Sequence, residues 1–411
     1  MKKLFLTVIF LLYVVSAFAA TSFKCVIKPT GGDYSSLASW EAAIDSNLTT
    51  ARVLSHSGIT GTIADGATVT GATSLAVGTA LHVTATQIMI VMTSGTFQSG
   101  EQIYALLNVN FVTSTSSPDS VIATAEIDGD WSGGADTTAV DMSGWITDAT
   151  RYIHVYTTGA ARHKGVYSTS YYVLFPSTDS IPFRVSNNID TSKFIIDGLQ
   201  INGVNKTGAG GEGTGGCIFF TAYQANTTIK NNIIKSKSYT GIDVTQCRGT
   251  CLIYNNIIYD TDKTAYSDGI AHEGSSAVYI YNNTIYGFYR GLHRNAAGLT
   301  IKNDVILNSG ETSINGTIPS GSNNATYDGK GDDSPLTAGL VNKTSYSNYF
   351  VSVTAGSEDF HLKSGSDFID VGTDLSATFT DDIDGATRSG TWDIGADEFV
   401  PTTARRIGLA L

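Results

Sequence analysis

The stretch that decides the fold reads NTTIKNNII (Asn226–Ile234), TCLIYNNII (Thr250–Ile258) and AVYIYNNTI (Ala277–Ile285). The same nine-residue phrase occurs earlier as KFIIDGLQI (Lys193–Ile201) and later as GLTIKNDVI (Gly298–Ile306). A β-type phrase that recurs every 21 to 33 residues, with spacers of variable length, is typical of a solenoid. The repeat therefore predicts the architecture of the middle of this chain.

Each phrase places three residues on one inward face, because side chains alternate along a strand. These are its second, fourth and ninth residues, which are mostly Ile, Val and Leu. The sixth residue marks a bend and is usually Asn, which tolerates left-handed backbone better than other non-glycine residues. Asn amides stacked at about 4.8 Å can hydrogen-bond from coil to coil. We predict a structural ladder in this column, beside a second column at the seventh position: Asn231, Asn255, Asn282 and Asn303 for the ladder, and Asn232, Asn256, Asn283 and Asp304 beside it.

The order of strand, loop, strand, Asn bend and strand resembles the right-handed parallel β-helix of the pectate-lyase-like superfamily. A second resemblance lies in DDIDGATRSGTWDIGADEF (Asp381–Phe399), which is similar to the DIDG…R…DIGA-E ending of secreted bacterial β-helix proteins. Both imply an all-β chain folded as a right-handed parallel β-helix. They do not imply an activity, because that fold hosts lyases, hydrolases, phage tailspikes and adhesins.

The first residues combine two lysines, an apolar run and an Ala-Phe-Ala cleavage signal, which together predict a secretory signal peptide. Further along, Leu37, Trp40 and Ile44 recur at helical spacing, as expected of a helix that caps the open end of a solenoid. We therefore expect a secreted protein, extracellular or on the cell surface, that does not span a membrane. Its predicted parts are a signal peptide (1–19), an N-terminal cap with a short helix (20–50), an inserted small β module (51–119), a parallel β-helix (120–330) and a C-terminal closing segment (331–411).

The formal net charge of −12 argues against nucleic acid as a partner, since a protein that binds phosphates needs a cationic surface. No cofactor is predicted, with Ca²⁺ as the one alternative. Asp382, Asp384 and Asp393 lie near the first, third and twelfth ligand positions of an EF-hand loop. However, Gly385 comes two places before the EF-hand requires a glycine, so we interpret Arg388 as a salt-bridge partner for these carboxylates.

The resemblance directs the search for catalytic residues to the outward strip of one parallel sheet. A lyase needs a cation beside the uronate carboxylate and a base for the α-proton. Lys237, Arg290 and Arg294 are similar to the Lys-Ser and Arg-His-Gly elements of alginate-lyase-like β-helices, although Gly-Leu follows Arg290. His272 takes an inward place in its strand, and we expect the strand to end early there rather than to line a pocket.

A hydrolase needs two or three clustered carboxylates. Four candidates lie on or between neighbouring coils, but the Asn-Thr-Asp and Gly-His-Gly motifs of polygalacturonase-like hydrolases are missing: Asp243, Asp260, Asp262 and Asp268. Among enzymes the sequence favours a lyase over a hydrolase. The catalytic candidates are then Asp243, His272, Arg290, Arg294 and Lys237.

Aromatic side chains form the most repeated outward feature. Tyr254 and Tyr281 share one column on adjacent coils, and Tyr259 and Tyr286 share another. Stacked tyrosines could bind sugar rings, or they could pack against each other and stabilise the sheet. The sequence favours a non-catalytic glycan-binding or structural, adhesin-like protein over a polysaccharide lyase or hydrolase. The expected partner is an extracellular polysaccharide or a cell-surface glycan.

Overall fold

The computed structural model describes residues 20–186, 193–205, 215–221, 226–237, 240–263, 265–274, 277–294, 298–316, 320–329, 336–337 and 339–401. The predicted signal peptide lies outside these residues. Three sheets, in which every strand pair is parallel, confirm the predicted fold class: an all-β chain wound as a parallel β-helix. The first sheet contains β1 (Thr21–Ile27), β8 (Val121–Ile127), β10 (Ile153–Thr157), β13 (Phe194–Asp197), β16 (Thr227–Lys230), β19 (Thr250–Tyr254), β22 (Ala277–Tyr281), β25 (Leu299–Lys302), β28 (Ser320–Ser322) and β30 (Leu336–Thr337).

The other two sheets have seven strands each among the described residues. The second contains β11 (Val173–Leu174), β14 (Gln200–Asn202), β17 (Ile233–Ser236), β20 (Ile257–Asp260), β23 (Thr284–Tyr286), β26 (Val305–Leu307) and β29 (Ala325–Thr326). The third contains β9 (Val140–Met142), β12 (Phe183–Val185), β15 (Gly216–Phe220), β18 (Thr240–Asp243), β21 (Asp268–His272), β24 (Arg290–Arg294) and β27 (Thr312–Asn315). A 3₁₀ turn (Gly159–Ala161) follows β10.

The three predicted inward rows are confirmed by the strand register. Ile229 pairs with Ile253, which pairs with Ile280, and the second and ninth phrase positions align in the same way. The residues of these rows belong to one continuous buried cluster. Burial of such side chains contributes about 1.5–3 kcal/mol each, so the rows are the main source of solenoid stability.

β1 already belongs to the solenoid, so the predicted start of the parallel β-helix at residue 120 is wrong. β1 pairs with β8 over seven residues, from Thr21 with Val121 to Ile27 with Ile127. A closed antiparallel barrel is inserted between these two strands. Its strands are β2 (Ala51–Thr60), β3 (Thr68–Gly71), β4 (Val77–Val83), β5 (Gln87–Ser94), β6 (Gln102–Leu106) and β7 (Asn110–Ser114).

The N-terminal helix α1 (Leu37–Ile44) covers the first coil. Its N-cap is Ser36, whose hydroxyl accepts a hydrogen bond from the Ser39 amide at 3.1 Å, as part of a capping box. Trp40 is fully buried and stacks on Trp145 at a ring distance of 5.6 Å. The helix therefore closes the solenoid end with apolar side chains, as its sequence spacing predicts.

The Asn bend is confirmed, but the hydrogen-bonded ladder lies one residue further along. The four predicted ladder residues all have positive φ, between 50° and 58°, and only one bond of the predicted kind links them among the described residues, from Asn303 to Asn282. In the second column, Asn256 Oδ1 accepts from both the backbone amide and the side-chain amide of Asn232, at 3.0 and 2.9 Å. The same pair of bonds recurs along the buried column Asn232, Asn256, Asn283 and Asp304, and the Asp304 amide donates to Asn324.

Glycine occupies the second position of three strands of the third sheet, β18, β21 and β24. A Cβ on Gly269 would lie 2.4 Å from the Gly291 carbonyl oxygen and 2.4 Å from an Ile285 methyl group. A Cβ on Gly241 or Gly291 would lie 2.5 or 2.1 Å from an isoleucine methyl group of the ninth-position row. Only a residue without a side chain lets the backbone approach the core so closely.

Residues 339–401 form the closing segment, which contains α2 (Tyr346–Tyr349), β31 (Phe350–Ser352) and β32 (Asp359–Leu362). The first Asn column holds it, because left-handed backbone turns these side chains away from the ladder. Asn255 Nδ2 donates to the Asp381 carbonyl at 2.7 Å, and Asn282 Nδ2 donates to the Asp393 carbonyl at 2.9 Å. Arg388 is buried, forms an ion pair with Glu398 at 3.2 Å and donates to Asn255 Oδ1 at 3.0 Å.

We predict that Asn256→Leu lowers the free energy of unfolding by about 1–3 kcal/mol, because it leaves buried donors of Asn232 and a buried acceptor of Asn283 without their partner. Urea unfolding followed by circular dichroism measures the change. Asn348→Leu is the matched control, since Asn348 is exposed. Equal losses in the two variants would contradict the ladder.

The charged member of the ladder makes stability depend on pH. Burial raises the pKa of Asp304 to about 7, whereas an unfolded Asp titrates near 4. A carboxyl with a raised folded-state pKa stabilises the fold at low pH, and this contribution is lost as pH rises from about 4 to above 7. Asp304→Asn should therefore raise the free energy of unfolding by about 1–3 kcal/mol at pH 8, because an amide can donate where the buried carboxylate cannot.

The gain from Asp304→Asn should shrink towards zero at pH 4, where the wild-type carboxyl is protonated. Urea unfolding at both pH values tests this. A gain of equal size at pH 4 and pH 8 would show that ionisation of Asp304 is not the cause.

Candidate functional site

The tyrosine columns are covered by the closing segment. Tyr254 is 6% exposed and stacks on Phe379, with ring centres 4.3 Å apart and planes at 16°. Tyr281 is 8% exposed and belongs to the same apolar cluster, together with Leu375 and Trp392. Of the two alternatives for these tyrosines, the exposed sugar-binding column is therefore wrong, and they pack instead, with the closing segment as their partner. Their outward faces are used to hold residues 375–392.

The second tyrosine column is covered in the same way. Tyr259 is 2% exposed and its ring lies 5.4 Å from that of Phe360. Tyr286 contacts Phe360 and Tyr346 at 5.2 and 5.5 Å. The sequence contained the partners, but nothing in it indicated that the chain returns over its own outward face. This column is part of the apolar core beneath the closing segment.

Three of the catalytic candidates lie on neighbouring strands of the third sheet. Asp243 ends β18 and is buried, and its Oδ1 accepts a hydrogen bond from the Thr245 amide at 3.1 Å. His272 ends β21 and is also buried, so the expectation that this strand ends before the histidine is wrong. Arg290 begins β24 and binds Asp268 through two hydrogen bonds of 2.6 and 2.9 Å.

His293 adds a further group to this region, with Nδ1 3.8 Å from Asp268 Oδ2. His293 was not among the catalytic candidates predicted from the sequence. Arg294 pairs with His272 in the strand register, and its side chain lies outside the described residues. The third sheet thus brings a carboxylate, a guanidinium and an imidazole into one buried cluster.

Lys237 does not join that cluster. It follows β17 of the second sheet, is exposed and lies 3.7 Å from Asp262 in a surface ion pair. Asp262 in turn donates its backbone amide to Asp260 at 2.9 Å. The structure therefore separates the cation of the predicted Lys-Ser element from Arg290.

The proposed calcium ligands have other partners. Asp382 Oδ1 accepts from the amides of Asp384 and Ala386 at 3.0 and 2.8 Å. Asp393 accepts from the amides of Asp370 and Phe399, at 2.7 and 2.6 Å. Asp384 turns to His361, 3.2 Å away. These carboxylates fold the closing segment through backbone hydrogen bonds.

A polar strip on the first sheet remains partly open. We define the open strip as the outward residues Glu126, Tyr156, Asp197 and Lys230, with His154 beside them, all half-buried. Glu126 is in register with Tyr156, which is in register with Asp197, which pairs with Lys230. The strip thus crosses four consecutive coils at a spacing of about 4.8 Å.

Ion pairs and ring stacking fix the side chains of the open strip. Asp197 lies 2.9 Å from Arg162 and 3.1 Å from Lys230. The Tyr156 hydroxyl donates to Glu126, and the Tyr156 ring stacks on His154 at 4.8 Å. Burial lowers the pKa of His154 to about 4, so the imidazole is neutral at physiological pH.

This strip was not predicted, although the sequence contains a signal for it. In the segment RYIHVYTT, the inward residues Ile153 and Val155 alternate with Tyr152, His154 and Tyr156. This alternation places two aromatic rings and an imidazole on the outward face. The neighbouring coils supply the charged partners, which only the strand register could reveal.

The three sheets and the solenoid core define the chain as a parallel β-helix protein. No family model and no curated protein matches it. A similar solved structure is the crystal structure of pectate lyase Pel9A, with 13% identity, a TM-score of 0.33, and coverage of 68% of this chain and 88% of that chain. Similarity at this level says nothing about the activity of this chain. Among the described residues, no helix is long and apolar enough to cross a membrane.

We predict that Tyr254→Ala lowers the free energy of unfolding by about 3–5 kcal/mol, the range for truncating a buried aromatic side chain. It removes the ring that stacks on Phe379 and so loosens the closing segment. Urea unfolding and limited proteolysis of residues 375–392 measure the two effects. Tyr266→Ala is the control, since Tyr266 is 59% exposed. A stable Tyr254→Ala variant with a protected closing segment would contradict the covering role.

Proposed function

We propose that this protein is a secreted, extracellular or cell-surface β-helix protein that binds a polysaccharide on the open strip and does not cleave it. The observation that carries the proposal is the composition of the strip: an aromatic pair flanked by carboxylates and cations on consecutive coils. The signal peptide predicted at residues 1–19 supports secretion.

The chemistry of the open strip suits a sugar chain. Aromatic rings bind the apolar faces of sugars, and Tyr156 supplies such a ring between the charged residues. The carboxylates of Glu126 and Asp197 accept hydrogen bonds from hydroxyl groups, and Lys230 donates to them. The repeated strand spacing offers these groups at regular intervals, as an extended polymer requires.

The charged groups favour binding over cleavage. Glycoside hydrolysis requires a protonated carboxyl as the general acid. Burial raises the pKa of Asp197, but Arg162 and Lys230 outweigh that effect and keep this pKa below its ordinary value. Asp197 is therefore ionised at physiological pH and serves as an acceptor.

A polysaccharide lyase or hydrolase is the second candidate, and the third-sheet cluster favours it. Asp243, Asp268, His272, Arg290 and His293 lie on three consecutive strands. Against a lyase, both hydrogen bonds between Arg290 and Asp268 commit the guanidinium to a carboxylate of the protein. A lyase needs that cation for the substrate.

Retention on a panel of immobilised polysaccharides tests the proposal. We expect the wild-type protein to be retained by at least one polysaccharide, and Tyr156→Ala to weaken that affinity about tenfold, equivalent to about 1.4 kcal/mol. Tyr266→Ala, which removes an exposed ring far from the strip in sequence, should leave retention unchanged. Retention that is the same in Tyr156→Ala and wild type would refute the strip as the binding face.

The same incubations separate binding from cleavage. We expect neither unsaturated sugar ends, read by ultraviolet absorbance, nor new reducing ends. Product formation that Asp243→Asn or Arg290→Lys abolishes, while Tyr156→Ala leaves the chemistry intact, would establish the enzyme alternative. Proper folding of every variant is checked by its unfolding transition.

A further inference from the structure

A cluster with three kinds of metal-binding side chain lies where the barrel meets the first coil. Cys25 is on β1 and fully buried, Asp33 is in the loop after β1, and His82 is near the end of β4 in the barrel. The Cys25 sulfur, a ring nitrogen of His82 and a carboxylate oxygen of Asp33 all lie within 4.8 Å of one another. None of these residues belongs to the open strip or to the third-sheet cluster.

The imidazole is oriented towards this cluster by a second carboxylate. His82 Nδ1 lies 3.0 and 3.1 Å from the two carboxylate oxygens of Asp65, so this side of the ring is fixed by hydrogen bonding. Metal-ligating histidines almost always bind a carboxylate or carbonyl through their other ring nitrogen in this way. The arrangement leaves Nε2 facing the cluster.

The other imidazole nitrogen, His82 Nε2, is buried and makes no hydrogen bond among the described residues. Its distance of 3.7 Å to Asp33 Oδ1 is too long for a hydrogen bond. This distance is a few tenths of an ångström longer than the separation of about 3.3–3.5 Å between a nitrogen and an oxygen ligand of one tetrahedral zinc ion, given bond lengths of about 2.0–2.2 Å.

The loop that carries Asp33 is held in place by its own hydrogen bonds. Asp33 Oδ2 accepts from the Val26 amide at 2.7 Å, and the Asp33 amide donates to the Val26 carbonyl at 2.7 Å. The other oxygen, Oδ1, is the one that faces His82. The adjacent Tyr34 ring lies 5.0 Å from the imidazole, and its hydroxyl is buried with no hydrogen-bond partner in the described part of the chain.

We propose that Cys25, Asp33 and His82 bind one Zn²⁺ ion, with Asp65 orienting the imidazole. The combination of a thiolate, an imidazole and a carboxylate suits zinc and disfavours Ca²⁺ and Mg²⁺, which prefer oxygen ligands. The ion would join β1 of the solenoid to β4 of the barrel. Its role would be to fix the inserted barrel on the first coil.

A metal-free alternative exists, in which a protonated His82 bridges Asp33 and Asp65 by charge alone. The two arrangements differ in the part played by the thiol. A charge bridge does not involve the Cys25 sulfur, whereas a zinc site requires it. An experiment that reports metal–sulfur bonding therefore separates them.

Cobalt substitution provides that report. The purified protein is stripped of metal with a chelator and titrated with Co²⁺, and the thiolate-to-cobalt charge-transfer absorption is recorded. We expect saturation at one Co²⁺ per chain, with loss of the absorption when Zn²⁺ is added. Zinc should also raise the melting temperature of the wild-type protein.

Variants assign the signal to these residues. Cys25→Ser should abolish the charge-transfer absorption, and Cys217→Ser, which changes another buried cysteine, should retain it. Asp33→Asn and His82→Gln should remove the thermal shift caused by zinc. Asp65→Asn should weaken metal affinity about 10–100-fold, the range for second-shell partners.

The outcomes that overturn the proposal are distinct. Absence of the charge-transfer band in the wild-type protein would leave the charge bridge as the explanation. A band that survives in Cys25→Ser would place the metal elsewhere, for example at Cys247 and Cys251. If Cys25→Ser fails to fold, His82→Gln decides the question, because His82 is partly exposed and tolerates substitution better.

Discussion

The buried amide ladder is the interaction on which the rest of the structure depends. Each coil must turn sharply between the first and second sheets, and a turn buries backbone amides that need acceptors. Asn256 and Asn283 supply those acceptors from the next coil, so each bend is fixed by its neighbour. The residue before each ladder amide is forced into left-handed backbone, and its side chain is thereby available to another part of the chain. One constraint thus sets both the solenoid bend and the docking of the closing segment.

The closing segment docks on the Asn side chains that the bends direct outward. Asn255 and Asn282 bind its backbone, Arg388 returns a hydrogen bond to Asn255, and the tyrosines fill the space between them. On the coils that carry Tyr254 and Tyr281, the outward face is therefore buried beneath the closing segment. This leaves the earlier coils of the first sheet, where no such cover is present among the described residues, as the place where a partner can reach polar and aromatic side chains together.

Periodic features were predictable from the sequence, and features that depend on distant chain segments were not. The isoleucine rows, the bend and the capping helix follow from local spacing. The ladder was assigned one residue early, because Asn occurs at both positions and sequence alone does not say which of the two faces inward. β1 was missed because its partner β8 lies about a hundred residues away. Cys25, Asp33 and His82 come together only because the barrel returns to the first coil, and no spacing rule indicates this.

The link between Asn255 and Arg388 spans 133 positions of the chain. A solenoid can add coils one after another, since each coil contacts mainly its neighbours. Here, however, the surface formed by Tyr254 and Tyr281 is covered by residues 375–398, which are synthesised much later. Until residues 375–398 arrive, a growing chain would carry an apolar stripe open to its surroundings, a state that invites aggregation. Docking of residues 375–398 is therefore the folding step that covers the apolar stripe.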